Sequence, residues 1–226
     1  MKDLKYLTAY STPLCAFIGL TYQGIWVWLT PIYAFVLVPI IESILPVNEV
    51  NIDSQEKEDK KSLHWTDFLL YLNIVIVYGI LLLTLTTVTT QETSLAELVG
   101  LIFSAGIVIG SNGINVAHEL GHRKSKIERT LGKLLLLPAL YMHFYIEHNY
   151  GHHLKAATPE DPATAKYNQS LYSFWVSSIY KQYTNSWRIQ MGLLKRANNS
   201  FLSFKNDMLW YHIFQASYLF VAYWFF

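Results

Sequence analysis

Long apolar runs separated by short polar breaks dominate this chain, and their lengths set its architecture. Residues 6–22 and 25–45 are two such runs divided by Gln23-Gly24, a break that predicts a tight helical hairpin. Pro31 and Pro39 lie inside the second run and predict kinks, because proline cannot donate the backbone hydrogen bond that a helix interior needs. Residues 46–61 turn polar, with Glu56-Lys57-Glu58-Asp59-Lys60-Lys61 as the densest part, and read as a solvated loop. Two further runs, 65–88 and 95–117, each extend roughly 34 Å as helices, enough for the hydrocarbon core of a bilayer. Residues 89–94 close that second hairpin.

Further along, residues 131–146 are apolar but short, interrupted by Pro138 and rich in Tyr and Phe, which predicts an interfacial or re-entrant piece. Residues 156–206 are mostly polar, carry Lys166, Lys181, Arg188, Lys195 and Arg196, and predict cytoplasmic helices with aromatic faces toward the bilayer or the core. Residues 208–226 are apolar again and stop in Tyr223-Trp224-Phe225-Phe226 without polar anchors, which raises the expectation of a fragment of a longer protein. The fold class expected is therefore all-α, a polytopic integral membrane helical bundle. It forms one domain over 1–226 with spans near 6–22, 25–45, 65–88, 95–117 and 208–226.

Composition agrees with a membrane protein, since 52% of residues are apolar. A net charge of only +1 gives no electrostatic footprint for nucleic acid. Cys15 is the single cysteine, which excludes an internal disulfide and a four-thiolate iron site, so any electrons must come from another protein. Lys2 and Lys5 precede an apolar stretch as in a signal peptide, but no small-residue cleavage pattern follows, and the stretch reads as a retained helix. Lys2, Lys5, Lys57, Lys60, Lys61, Arg123, Lys124, Lys126, Arg129 and Lys133 fall in segments that an even number of crossings puts on one side, while 89–94 has no basic residue. Basic residues collect on the cytoplasmic side, which sets the orientation.

Five of the eight histidines occupy two clusters, His118-Glu119-Leu120-Gly121-His122 and Glu147-His148-Asn149-Tyr150-Gly151-His152-His153. On a helix, positions four apart share a face, so His118 with His122, and His148 with His152, can each offer two imidazoles to one ion. His153 lies about 100° further round and can reach a second ion or the flank of the first. Glu119 and Glu147 are carboxylates able to act as ligand, bridge or acceptor for an imidazole N–H. Five imidazoles beside a bilayer are costly to desolvate without a shared partner, which favours a metal site. His64, His143 and His212 stand alone and read as hydrogen-bonded structural residues, and Gly121 and Gly151 as aids to close helix packing. HExxH also marks zinc proteases, but a catalytic zinc takes three protein ligands and an open position, so the surplus of imidazoles points to two metals.

The two clusters, with Ala157-Thr158-Pro159-Glu160-Asp161-Pro162-Ala163 after the second, resemble the integral-membrane non-haem di-iron alkane 1-monooxygenases, relatives of the membrane fatty acid desaturases and hydroxylases. HELGH at 118–122 looks like that family's first histidine box and EHNYGHH at 147–153 its second. The string 115–162, including His143-Phe144-Tyr145-Ile146, fits it better than the desaturases. The resemblance implies two non-haem irons held by His118, His122, His148, His152 and His153, with Glu119 and Asp161 as supporting catalytic groups. It implies terminal hydroxylation of medium-length n-alkanes with O2, electrons from rubredoxin and its reductase, and a dry apolar channel; Trp26, Trp28 and Phe35 are candidates to line it, though facing lipid is the stronger expectation for any one of them. It also implies an integral protein of the bacterial inner membrane, in contact with lipid, whose site faces the cytoplasm. The family has a third histidine box that this sequence does not contain, so incomplete metal binding is expected. Competing readings are a desaturase or hydroxylase of the same superfamily acting on acyl chains or alkyl aromatics, an intramembrane zinc protease, and a non-catalytic membrane protein.

Overall fold

A computed structural model describes residues 2–45 and 64–226 of the chain. The predicted loop at 46–61, with Lys57, Lys60 and Lys61, and the side chains of Lys2, Lys5 and His64 lie outside what it describes. Among the described residues every regular element is a helix. Helix α1 is Ser11–Tyr22, α2 Gly24–Ile44, α3 His64–Thr90, α4 Leu95–Gly121 and α5 Lys126–Leu136. Residues 144–155 form the broken helix α6, followed by α7, Leu171–Arg196, and α8, Asp207–Phe225. Three of these, α2, α4 and Trp65–Thr90 of α3, are long and apolar enough to cross a membrane. The expected segment 6–22 appears as a 3₁₀ stretch, Lys2–Tyr10, leading into the 12-residue α1, and 208–226 as α8; neither is among those three.

The chain divides into two compact units, one reaching to Val116 and the other comprising Ala117–Phe225. In the first, α1 turns into α2 through Gln23 and Gly24, whose φ values of 52° and 54° both lie in the left-handed region. Gly24 suits that region, whereas Gln23 pays for it sterically and is held by a side-chain hydrogen bond to Gln91. Ser94 caps α4 in a reciprocal box with Glu97, and the same Glu97 carboxylate accepts the Gly24 N–H at 3.0 Å. One acid thus ties the two hairpin turns together.

Prolines in these helices free carbonyls, and α4 supplies donors for them. Pro31 has no N–H for the Val27 carbonyl, which instead accepts the buried Ser104 hydroxyl at 2.8 Å. Pro13 does the same to Ala9, whose carbonyl accepts the Asn112 amide at 3.0 Å, and that amide also reaches Asn73 Oδ1 at 2.9 Å. In place of simple kinks, α2 contains a 3₁₀ turn at Gly24–Trp28 and a π turn at Tyr33–Leu37. Small residues let the backbones close up: a Cβ on Gly100 would sit 2.4 Å from Val27 Cγ2, and one on Gly19 2.8 Å from the Trp26 carbonyl oxygen.

In the second unit, α5 carries apolar and basic residues on different faces and is followed by turns through 137–143, so 131–146 is a short helix and a loop. Helix α7 packs on α6 with a polar face and keeps its aromatic face outward. Its buried positions include Ser178, Gln182, Asn185, Ser186 and Gln190, while Tyr172, Trp175, Val176, Ile179 and Tyr180 are exposed.

Replacing Ser104 with Ala should leave the Val27 carbonyl unpaired and cost about 1–3 kcal/mol. Pro31→Ala restores the missing donor, so the double variant should be less destabilised than the two single losses added together. Thermal unfolding in detergent micelles checks this, and strict additivity would refute the shared-carbonyl account.

Candidate metal centre

Four imidazoles converge in the second unit, drawn from the end of α4 and from α6. Nε2 of His122 lies 3.0 Å from Nε2 of His118 and 3.0 Å from that of His148. Nε2 of His153 lies 3.1 Å from His148 and 3.4 Å from His122. Nitrogens bound to one ion at about 2.0–2.1 Å are separated by roughly 2.9–3.4 Å, so these spacings are those of neighbouring ligands on a metal. His118, His122 and His148 alone already bring a ring nitrogen each within 4.8 Å of one another. His118, His122 and His153 remain exposed, which leaves the cluster open on one side.

The partner of His148 is His153, five residues on, and not His152. The cause is a π turn at His148–His152, in which the His153 N–H bonds to the His148 carbonyl. Five-residue bonding widens the turn, and the residue that returns beneath His148 is then the fifth. Gly151 makes the turn possible at close quarters, because a Cβ there would lie 2.5 Å from Glu147 Oε1 and 3.1 Å from Asn185 Nδ2. His152 stacks on His148 with ring centroids 5.3 Å apart and turns its Nδ1 to Asp161 Oδ2 at 3.0 Å.

Asp161 is almost fully buried and anchors the loop after α6. Its Oδ1 accepts the Ala163 N–H at 3.0 Å, and its Oδ2 accepts the Thr164 hydroxyl at 2.5 Å. Burial alone would raise this carboxyl, but the Thr164, Ala163 and His152 hydrogen bonds outweigh it and hold it below the usual range. A carboxylate on Nδ1 fixes the His152 tautomer and leaves Nε2 as its free, basic nitrogen. Glu119, by contrast, is half exposed in an ion pair with Arg123 at 3.2 Å.

Electrostatics favour an ion that repels no imidazole proton. Burial, then the neighbouring rings of His118, His153, His122 and His152, push His148 down to about 3, and burial lowers His122 as well. Neutral imidazoles are the form that binds metal. Glu147 is 1% exposed and its carboxyl is raised by burial, against the hydrogen bond it accepts from Asn185 at 2.9 Å. Asn185 is a supporting residue that sequence reasoning missed. The signal was the row Ser178, Gln182, Asn185, Ser186 and Gln190, polar positions at helical spacing with no apolar equivalent.

His212 is the structural histidine expected, donating Nδ1–H to the Met208 carbonyl at 2.6 Å and accepting at Nε2 from the Tyr183 hydroxyl at 2.9 Å. His143 differs. It is 7% exposed and its Nε2 has no hydrogen-bond partner among the described residues. Burial and the charge of His212 push it down to about 4.

The family model for fatty acid desaturases matches residues 93–226, which include every residue of the cluster. The chain belongs to the fatty acid desaturase family. Within its desaturase-family relatives it is similar to alkane 1-monooxygenase 1 of Alcanivorax borkumensis, 34% identical over 201 residues, covering 88% of this chain and 50% of that protein. The alkane 1-monooxygenase of Ectopseudomonas oleovorans is 34% identical over 218 residues, 91% of this chain and 53% of that protein. The hydroxylase component of a Pseudomonas putida xylene/toluene monooxygenase is 28% identical over 209 residues, 88% of this chain and 53% of that protein. The chain spans about half the length of the curated relatives it matches.

Asp161→Asn should weaken metal binding about 10–100-fold, since partners that orient a ligating imidazole carry that much affinity. Cobalt(II) titration followed by absorption measures it, and unchanged affinity would remove Asp161 from the centre. A second outcome concerns His143, whose value falls from 6.5 in the unfolded chain to about 4 in the fold. The unfolded chain then binds the proton first, so its contribution is complete above about pH 6.5 and is lost as pH falls toward about 4. His143→Phe should flatten that acid slope in unfolding experiments.

Proposed function

We propose that this chain belongs to a membrane monooxygenase that hydroxylates the terminal carbon of medium-length n-alkanes to primary alcohols. The observation that carries the reading is the meeting of four Nε2 atoms 3.0–3.4 Å apart, drawn from both histidine boxes. Relatives named alkane 1-monooxygenases align over about nine-tenths of the chain. His118, His122, His148 and His153 would hold metal through Nε2, and His152, anchored by Asp161, offers its Nε2 to a second ion. An imidazole-rich set suits iron. When bound, a pair of non-haem irons supplies the redox chemistry that reduces O2, one atom going to the alcohol and the other to water.

The protein's own share is positioning and exclusion of water. Asp161 holds one imidazole in the ligating tautomer, and Gly151 lets Glu147 and Asn185 lie against the cluster helix. By its resemblance to the alkane 1-monooxygenases, rubredoxin and its reductase deliver the electrons, in keeping with a chain that carries a single cysteine. In this reading the protein resides in the bacterial inner membrane with the centre toward the cytoplasm, where the basic residues after the first box belong.

A second reading, oxidation of the methyl group of an alkyl aromatic, is favoured by the xylene/toluene monooxygenase relative. Acyl-chain desaturation or hydroxylation rests on the family model alone. The zinc-protease reading needs Glu119 free to activate water, whereas that carboxylate is engaged by Arg123 in an ion pair at 3.2 Å.

Protein reconstituted in nanodiscs with iron, rubredoxin, reductase and O2 should convert octane to 1-octanol, detected by gas chromatography and mass spectrometry. The product should depend on iron and vanish in His148→Ala. Benzylic alcohol from p-xylene with no octanol would shift the assignment to the second reading, and neither product from iron-loaded protein would end the hydroxylase proposal.

A further inference from the structure

One line of aromatic rings leaves the metal centre and reaches a tyrosine–histidine hydrogen bond that the hydroxylase reading does not use. Phe144 stacks on His148 with centroids 5.0 Å apart and planes at 19°. Tyr141 stacks on Phe144 at 5.4 Å, and His143 meets Tyr141 edge-on at 4.7 Å. His143 in turn meets Tyr183 at 5.3 Å. Only one imidazole therefore separates the two tyrosines. Tyr183, 37% exposed, is where this line reaches the surface, and its hydroxyl lies 2.9 Å from His212 Nε2.

The tautomer of His212 is fixed by its other nitrogen. Nδ1 lies 2.6 Å from the Met208 carbonyl, which can only accept, so Nδ1 carries the proton and Nε2 is the lone-pair side facing Tyr183. A phenol hydrogen-bonded to a basic imidazole can lose an electron and a proton together, because the proton has a place to go without charge building on the ring. Tyr141 lacks that advantage: its hydroxyl donates to the Gln182 amide oxygen at 2.7 Å, a group that does not take up a proton. Direction follows from the same chemistry. A tyrosine has no accessible reduced form to pass electrons inward from a low-potential donor. It can only surrender one, so this line carries oxidising equivalents outward.

We propose that Tyr183 and His212 form a proton-coupled redox pair that drains oxidising equivalents from the metal centre when no hydrocarbon is present to consume them. The inference rests on the oxygen-activating reading of that centre. In the balanced step, the O2-oxidised metal centre gains one electron and Tyr183 loses one. The Tyr183 O–H bond breaks, its proton bonds to His212 Nε2, and a neutral phenoxyl radical faces an imidazolium. An external one-electron donor, ascorbate or a thiol, then reduces the radical at the exposed position while His212 returns the proton.

The test uses the full chain in nanodiscs. Iron(II)-loaded protein mixed with O2 without hydrocarbon, then freeze-quenched, should give a tyrosyl radical signal by electron paramagnetic resonance. The signal should be lost in Tyr183→Phe, diminished in His212→Gln, which keeps an acceptor but removes the base, and retained in Tyr172→Phe, an exposed tyrosine off the line. A metal-free arm separates this pair from the iron chemistry: flash-generated ruthenium(III) tris-bipyridine oxidises the apo chain. The share of radical missing from Tyr183→Phe should form with a solvent deuterium isotope effect that His212→Gln abolishes. If iron fails to bind or O2 is not consumed, the hydroxylase reading is at fault and the metal-free arm alone decides on the pair. A missing Tyr183 share there, or one indifferent to His212, overturns the proposal, as does a radical in the iron experiment that survives Tyr183→Phe.

Discussion

A nearly buried imidazole set among other imidazoles cannot keep its proton, and His148 holds that position in the second unit. His148 is nearly buried, ringed by four other imidazoles and held far below its ordinary value. Desolvation and the neighbouring imidazoles both favour the neutral ring of His148 and of His122, whose Nε2 atoms face those of His118 and His153. A cation is the partner that meets all of them at once, and the 3.0–3.4 Å nitrogen spacings are of the size that one ion imposes. The carboxylates answer the same constraint differently: Glu147 is buried against an amide and pushed up, whereas Asp161 is surrounded by donors and held down.

Holding such a cluster asks for helices that are not regular. A uniform α-helix repeats too evenly to bring residues four and five apart into one polyhedron, and α6 solves this with a π turn through the second box. Helix α4 carries another π turn at Ile109–Ile114, shortly before His118, and α2 a third. Each irregularity frees or displaces carbonyls that hydrocarbon cannot satisfy, and in the first unit Ser104 and Asn112 donate to the carbonyls that Pro31 and Pro13 leave open. The polar residues of α4 are in this sense the complement of the prolines in α1 and α2.

Much of this was legible in the sequence, and the boundary of legibility has a physical form. Apolar run length located α2, α3 and α4 to within a few residues, because span length is set by bilayer thickness. The two histidine boxes were visible because ligand chemistry has few residue types to choose from. The pairing inside the second box was not visible: counting by four joins His148 to His152, and only the π turn reveals that His153 is the ring returning beneath His148. Glu119 and Arg123 sit at the spacing of a surface ion pair, and they form one. Asp161 was legible as part of a motif, but its role came from the contact with His152 Nδ1, nine residues back, which no local turn pattern predicts.

Helix α7 shows why hydrophobic periodicity alone misreads a protein of this kind. In water, the apolar face of a helix turns inward and the polar face outward. In α7 the inward face is a column of Ser, Gln and Asn, and the outward face is Tyr, Trp, Val and Ile. The inward polarity has specific customers: Ser186 donates to the His143 carbonyl at 3.0 Å, Asn185 to Glu147, and Gln182 accepts from Tyr141. Those are the backbone and side chains of the segment that leads into and carries the second histidine box. A site built of buried carboxylates and loosened backbone must be walled by donors and acceptors, so the helix that covers it is polar on the side that would ordinarily be greasy. Read in that light, the polar stripe of α7 is as much a signature of the centre as the histidines, and it is the one that charge and hydropathy patterns alone would pass over.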